Sequence, residues 1–185
     1  MAKDVKSGGI SRFLVMPISY FGYRLSVFLG GNAINMLLAV AVLFALQPLG
    51  INISETSVGP LRMAAFLFSL SAALVLNFLF FFLIGLTSFW TVEAWGIFET
   101  SRVGLLILSG GIFPLEVFGT FWQKAFAWLP FEYVVYFPIQ IIDGRLPATA
   151  VMRGLGIQMI WLLLFAFLGL AFWGRSARRL VTVGG

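Results

Sequence analysis

The sequence predicts an all-α, polytopic helical membrane protein with four transmembrane helices and an extracellular, re-entrant or interfacial helical hairpin. Three observations predict this class: a high hydrophobic content, a low charged content, and basic residues at both ends of the chain. Of the 185 residues, 61% are hydrophobic and only 10% are charged. A soluble domain carries about 25% charged residues because water must wet its surface. Lipid must therefore cover most of the surface of this chain.

The composition also argues against several classes of function. The chain contains no cysteine and no histidine, which removes thiol chemistry, the commonest general base and the commonest metal ligand. Its seven carboxylates show no spacing typical of paired acid and base catalysis. The net charge of +5 does not predict a nucleic-acid partner, because the basic residues separate apolar runs rather than form one patch. We therefore expect a protein that is not an enzyme.

Three stretches are secure membrane spans, since about 20 apolar residues cross the roughly 30 Å of hydrocarbon. They are residues 25–46, 63–86 and 155–174. The first contains Asn32 and Asn35, which form a polar seam within the membrane. These amides are expected to hydrogen-bond between helices, and contact with a transported molecule is the alternative.

Charge predicts a fourth span. The segment 1–24 and the tail 175–185 are both basic, so the positive-inside rule places both termini in the cytoplasm. Termini on one side require an even number of crossings. The uncharged run 103–113 would form only about 16 Å of helix, which is too short. The fourth span is therefore predicted over residues 89–113, within a transmembrane domain of residues 25–174.

The fourth span carries three ionisable residues into the cytoplasmic half of the membrane: Glu93, Glu99 and Arg102. Glu99 and Arg102 stand three residues apart, where helical side chains can pair. Two interpretations remain open. The side chains snorkel to the cytoplasmic interface, or they line a transport path or a subunit contact.

This order of spans places residues 114–145 outside the cell. Pro114 suits a helix start, whereas Pro130 and Pro138 stop continuation. From Phe118 the apolar residues follow helical spacing, with polar residues on the other face. The segment therefore predicts two short helices that lie in the outer interface or dip into it, where protein or water must cover the irregular backbone.

The four letters LSGG, at residues 108–111, also open the signature of ATP-binding-cassette ATPases. No GxxxxGK[ST] phosphate loop accompanies them anywhere in the chain. The pattern therefore indicates small residues that let the end of a span bend and pack closely.

Two longer stretches and the tail suggest a family. Residues 4–25, DVKSGGISRFLVMPISYFGYRL, read acidic-apolar-x-x-Gly, then an apolar pair, then Pro. Residues 89–144, which begin within an SFW at 88–90, include LSGGIFPLEVF, LPFEYVVYFP and IIDG, and the chain closes with GRSARRLVTVGG. This order resembles the permease subunits of type-2 ATP-binding-cassette (ABC) exporters, without the first two of their six spans. We expect in-frame upstream codons to encode two more apolar runs.

The resemblance implies a membrane-spanning permease that moves an unidentified substrate across the cytoplasmic membrane. It implies three partners: an ATP-binding-cassette ATPase subunit, a second permease subunit in a homodimer or heterodimer, and membrane lipid. The chain itself would bind no cofactor and no metal, and ATP and Mg would bind to the partner ATPase. A non-transporting membrane scaffold, or a truncated and inactive permease fragment, is the alternative.

The resemblance also assigns residues to roles. Residues 1–24 become a cytoplasmic coupling segment, and the tail 175–185 stays cytoplasmic. The residues expected to contact the ATPase subunit are Asp4, Val5, Lys6, Ser7 and Gly8. The residues expected to shape the hairpin, as an outer gate or as a rigid lid, are Ser109, Gly110, Pro114 and Pro130.

Overall fold

The computed structural model describes residues 19–46, 59–87 and 94–183, and every regular element in these ranges is helical. The α-helices are α1 (Tyr20–Leu46), α2 (Pro60–Leu86), α3 (Ala94–Leu108), α4 (Gly119–Phe126), α5 (Tyr136–Asp143) and α6 (Ala148–Val183). Two short 3-10 helices, Leu115–Phe118 and Glu132–Val134, lie before α4 and before α5. The all-α prediction is confirmed.

Three helices are long and apolar enough to cross a bilayer, judged by length and composition. The stretches that qualify are Tyr20–Val42 in α1, Pro60–Leu86 in α2 and Ala148–Trp173 in α6. They correspond to the three secure spans, and each begins a few residues earlier than predicted. α2 has its proline at the helix start, where the missing backbone N–H costs no intrahelical bond.

α2 and α6 lie side by side and run in the same direction. About ten residues from the start of each helix, Ser69 Oγ donates to Gln158 Oε1 at 3.1 Å. Further along both helices, the rings of Phe80 and Phe165 stack with centroids 6.4 Å apart. The contacts therefore pair residues at matching distances from the two N-termini. Because these neighbours are parallel, the chain between them must return along the bundle.

The return begins with α3, which lies along α2 through the rings of Phe98 and Phe81, 4.8 Å apart. α3 has 15 residues, or about 22 Å of helix. That length is short of the roughly 30 Å hydrocarbon layer. Residues 89–93, the first part of the predicted fourth span, lie outside the described residues. The count of four spans therefore stays a prediction.

The return continues through α5, which starts where α3 ends. The backbone N–H of Tyr136 donates to the carbonyl of Ser109 at 3.1 Å. α5 has eight residues, which adds about 12 Å of rise. The path back along α2 is thus divided between two helices that meet inside the bundle.

Two buried clusters hold the bundle together. The cluster near the starts of α2 and α6 joins these helices to the hairpin, and its buried members are Phe66, Leu76, Tyr133, Phe137, Ile141, Ile142 and Val151. The cluster at the other end joins α1 to α2, and its buried members are Tyr20, Phe78, Leu79, Phe82 and Leu86. There the ring of Trp173, near the far end of α6, stacks on Tyr20 with centroids 4.9 Å apart. The first turns of α1 therefore contact both α2 and α6.

Candidate functional site

The hairpin between α3 and α6 enters the bundle rather than lying flat on its end. Its arms are α4 and α5, and its irregular turn is residues 127–135. The carbonyl of Tyr133 in this turn accepts a hydrogen bond from Gln158. Gln158 lies ten residues after Ala148, or about 15 Å along α6. The turn thus reaches about half the depth of a 30 Å hydrocarbon layer.

Three residues, Ser69, Tyr133 and Gln158, form a polar contact that we call the clasp. The side chain of Gln158 is fully buried. Its Nε2 donates to the carbonyls of Ser69 and Tyr133, both at 3.0 Å, and its Oε1 accepts from Ser69 Oγ at 3.1 Å. Both amide hydrogens are therefore used. The clasp fixes the hairpin turn to the two parallel spans at one point.

Two further side chains satisfy carbonyls of the same turn. The hydroxyl of Tyr133 donates to the carbonyl of Ala127 at 2.7 Å. The indole Nε1 of Trp161, on α6, donates to the carbonyl of Trp128 at 3.0 Å. Irregular backbone at membrane depth is stable only where protein supplies such partners. The hairpin therefore depends on side chains of α6 for its place.

The hydroxyl of Tyr133 keeps its proton at physiological pH. Burial raises the pKa of Tyr133 to about 12, the charge of Glu132 adds to the rise, and Arg153 opposes it. A protonated phenol is the donor that the Ala127 carbonyl requires. This hydrogen bond is therefore insensitive to pH in the neutral range.

The sequence LSGG ends α3 with a Schellman motif. The N–H of Gly111 donates to the carbonyl of Leu106 at 2.9 Å, and the N–H of Gly110 donates to the carbonyl of Ile107 at 3.3 Å. Gly110 has a φ of 77°, in the left-handed region where residues with a Cβ are strained. The motif thus terminates a helix, as its small residues predicted.

Ser109 and Gly110 lie together at the joint between α3 and α5. Ser109 is fully buried, and its carbonyl accepts from the N–H of Tyr136 at 3.1 Å. A Cβ on Gly110 would lie 3.1 Å from Tyr136 Cδ2 and 3.3 Å from Leu115 Cγ. The two predicted gate residues are therefore packed directly against the start of α5.

The other two predicted gate residues stand at the ends of the first arm of the hairpin. Pro114 is exposed and precedes the 3-10 helix Leu115–Phe118, and its carbonyl accepts from the N–H of Val117 at 3.1 Å. Pro130 is buried and lies between α4 and the 3-10 helix Glu132–Val134. Each proline marks a change of chain direction.

The polar residues predicted inside the membrane fall on two separate helices. On α3, Arg102 Nη1 lies 3.9 Å from Glu99 Oε2, in the predicted pairing, and both side chains are exposed. An exposed pair of this kind contributes at most about 1 kcal/mol. On α1, Asn32 Nδ2 donates to the carbonyl of Phe28 at 2.8 Å, within its own helix, and Asn35 is exposed.

Two sets of predicted site residues have no described geometry. Glu93 lies outside the described residues, and so does the whole predicted contact with the ATPase subunit. The members of that contact are Asp4, Val5, Lys6, Ser7 and Gly8.

The sequence interpretation missed the centre of the clasp. Gln158 is the single strongly polar residue in the predicted span 155–174. A lone amide in an apolar span needs a partner inside the protein, so the signal was present in the sequence. The sequence could not show which groups Gln158 contacts. One of them is the backbone carbonyl of Tyr133, and every residue has a backbone carbonyl.

Comparison with known proteins identifies a family. Curated proteins and solved structures give no match to this chain. A family model described as ABC-2 family transporter protein matches residues 1–184, which includes both stretches that carried the resemblance. Because the match covers almost the full length of the chain, the chain belongs to the ABC-2 family of transporter proteins and is the membrane permease component of an ABC transporter.

Proposed function

We propose that this chain is the permease subunit of an ATP-driven exporter in the cytoplasmic membrane. It works as a dimer with separate ATPase subunits, which bind ATP and Mg, while the chain itself binds no cofactor. Both termini lie in the cytoplasm, and the hairpin opens toward the outside. Membership of the ABC-2 family supports the permease assignment, and the attachment of the hairpin supports its role as a gate.

The observation that carries the proposal is the way the hairpin is attached. Side chains of α6 hold its turn through hydrogen bonds from Gln158 and Trp161. Each such bond contributes only about 0.5–1.5 kcal/mol. The hairpin can therefore change its packing against α6 without unwinding a long helix. A re-entrant element with this kind of attachment suits a gate better than a rigid lid.

A chain of contacts links the cytoplasmic side to this gate. The coupling segment leads into α1, whose Tyr20 stacks on Trp173 of α6 with an angle of 10° between the ring planes. The same helix carries Gln158 at the clasp. Closure of the ATPase pair moves the coupling segment, and α6 transmits the displacement to the hairpin. ATP binding drives this change only by its differential affinity for the two packings.

The topology can be tested directly because the chain has no cysteine. A Phe121→Cys variant carries a thiol on the hairpin, where the side chain of Phe121 is 74% exposed. An Ala2→Cys variant carries a thiol in the coupling segment. In sealed cells, an impermeant maleimide should label the first and spare the second, and permeabilisation should allow both to react. Labelling of the Ala2→Cys variant from outside would refute the proposed orientation.

Coupling can be tested by coexpressing this chain with a candidate ATP-binding-cassette ATPase subunit. The two proteins should copurify from membranes, and the permease should change the rate of ATP hydrolysis. An Asp4→Asn and Lys6→Gln double variant should insert normally but lose this effect, because it alters the ATPase contact. Arg178→Gln removes a cytoplasmic charge elsewhere and serves as the control. A chain that binds no ATPase would instead favour the scaffold alternative.

A further inference from the structure

A groove of about 460 Å³ lies between the hairpin and the first part of α6. We call it the hairpin groove. Its charged side chains are Lys124, Glu132 and Arg153, and its aromatic side chains are Trp128, Tyr133 and Phe137. The clasp fixes one wall of the groove, because Tyr133 belongs to both.

Two cations, Arg153 and Lys124, line the groove and attract an anion. The guanidinium carbon of Arg153 lies 5.4 Å from the centre of the Trp128 ring, and the carbonyl of Trp128 is held in turn by Trp161. Such stacking orients a guanidinium while leaving its edge N–H donors available. Within the described part of the chain, neither Arg153 nor Lys124 forms an ion pair. The groove therefore contains two cations and one carboxylate, an excess of one positive charge.

The depth of the groove indicates what kind of anion it meets. Arg153 lies five residues after Ala148, or about 7.5 Å along α6. From this depth a long arginine side chain can extend its charged end to the boundary between headgroups and hydrocarbon, where aromatic rings are also common. One turn deeper, the groove is lined by the apolar Ile157, with Phe137 on the facing wall. Arg153 thus lies toward the shallow end of the groove, whereas Ile157 and Phe137 line its deeper part together with Glu132, which is next to the clasp residue Tyr133.

We propose that the hairpin groove binds one phospholipid, with its phosphate at Arg153 and Lys124 and an acyl chain along Phe137 and Ile157. Phosphate suits the planar fork of an arginine, which can donate two parallel hydrogen bonds. The apolar wall favours a lipid over inorganic phosphate, which has nothing to bury there. A bound phospholipid braces the hairpin against α6, because it contacts both walls of the groove. This proposal requires membrane insertion and does not rest on export activity.

The test is native mass spectrometry of the full chain in detergent, titrated with dioleoyl phosphatidylglycerol. Dioleoylglycerol, which has the same chains without the phosphate, is the lipid control. The wild type should retain one phosphatidylglycerol with at least about tenfold preference over dioleoylglycerol. Arg153→Gln and Lys124→Gln should each weaken retention by about tenfold. Arg102→Gln, an equal loss of charge on α3, should leave it unchanged.

A conservative variant serves as the control for misfolding of the altered chain. Arg153→Lys keeps the charge but loses the planar fork, so it should retain more lipid than Arg153→Gln and less than the wild type. A thermal melt of each variant reports whether the chain is folded. Equal retention of the two lipids, or equal behaviour of Arg153→Gln and Arg102→Gln, would overturn the proposal. Binding of inorganic phosphate without any retention of phosphatidylglycerol would show a phosphate site that takes no lipid, and would also overturn the proposal. A change from dimer to monomer in Arg153→Gln without loss of lipid would show instead that a second copy covers the groove.

Discussion

Gly154 provides the sharpest test of how the hairpin packs on α6. A Cβ at this position would lie 2.2 Å from Cε2 and 2.3 Å from Cζ of the Phe137 ring. Carbon atoms need about 3.5 Å, so Gly154→Ala must displace the ring by more than about 1 Å. Phe137 is only 3% exposed and packs edge-on against Tyr133, with ring centroids 5.2 Å apart. The ring therefore cannot move without disturbing the hairpin, and we expect a loss of about 1–3 kcal/mol in the free energy of unfolding.

The measurement is thermal unfolding of the purified chain in detergent. A loss of about 2 kcal/mol lowers the Tm of a chain of this size by about 4–8 °C. Gly156→Ala is the matched control, because no atom lies within 4 Å of a Cβ at Gly156, and alanine favours a helix over glycine. Adding Phe137→Leu to Gly154→Ala should recover part of the loss, since the smaller side chain leaves room. Equal Tm values for Gly154→Ala and Gly156→Ala would refute this account of the contact.

Two further predictions concern the clasp and the joint between α3 and α5. Gln158→Leu leaves a hairpin carbonyl buried without a donor, so the Tm should fall by the equivalent of about 1–3 kcal/mol, whereas Asn35→Leu, at an exposed amide, should leave the Tm unchanged. Gly110→Ala should cost more than Gly119→Ala in the same melts. Both glycines have φ near 78°, but only a Cβ at Gly110 meets a neighbour, the Tyr136 ring. A Tm for Gln158→Leu equal to that of Asn35→Leu, or equal losses at the two glycines, would contradict these assignments.

The long helices could be read from the sequence because their signal is local. Runs such as 63–86 and 155–174 are apolar over a full membrane thickness, and that property needs no knowledge of neighbours. Helix starts were placed late by a few residues, because Pro60 and Ala148 lie outside the most apolar windows. α3 was harder. Its apolar run is too short to span, and the helix that continues the return path, α5, comes only after 27 intervening residues.

The site was predicted less completely than the fold. The pairing of Glu99 with Arg102 followed from helical spacing, and the helix-ending role of residues 108–111 followed from their small side chains. The clasp did not follow, because it joins Gln158 to backbone groups far away in the chain. The close approach of Phe137 to Gly154 could not be predicted either, because a glycine in an apolar span does not indicate which side chain packs against it.

The positions of the anchors have a consequence for biosynthesis. Gln158 and Trp161 both follow the hairpin in the chain, so the ribosome makes the turn before it makes the donors that the turn requires. Until α6 has emerged, the carbonyls of Trp128 and Tyr133 can find partners only in water. The nascent hairpin must therefore wait at the membrane surface and enter the bundle after α6 has inserted, so that its final placement is a late, post-translational step.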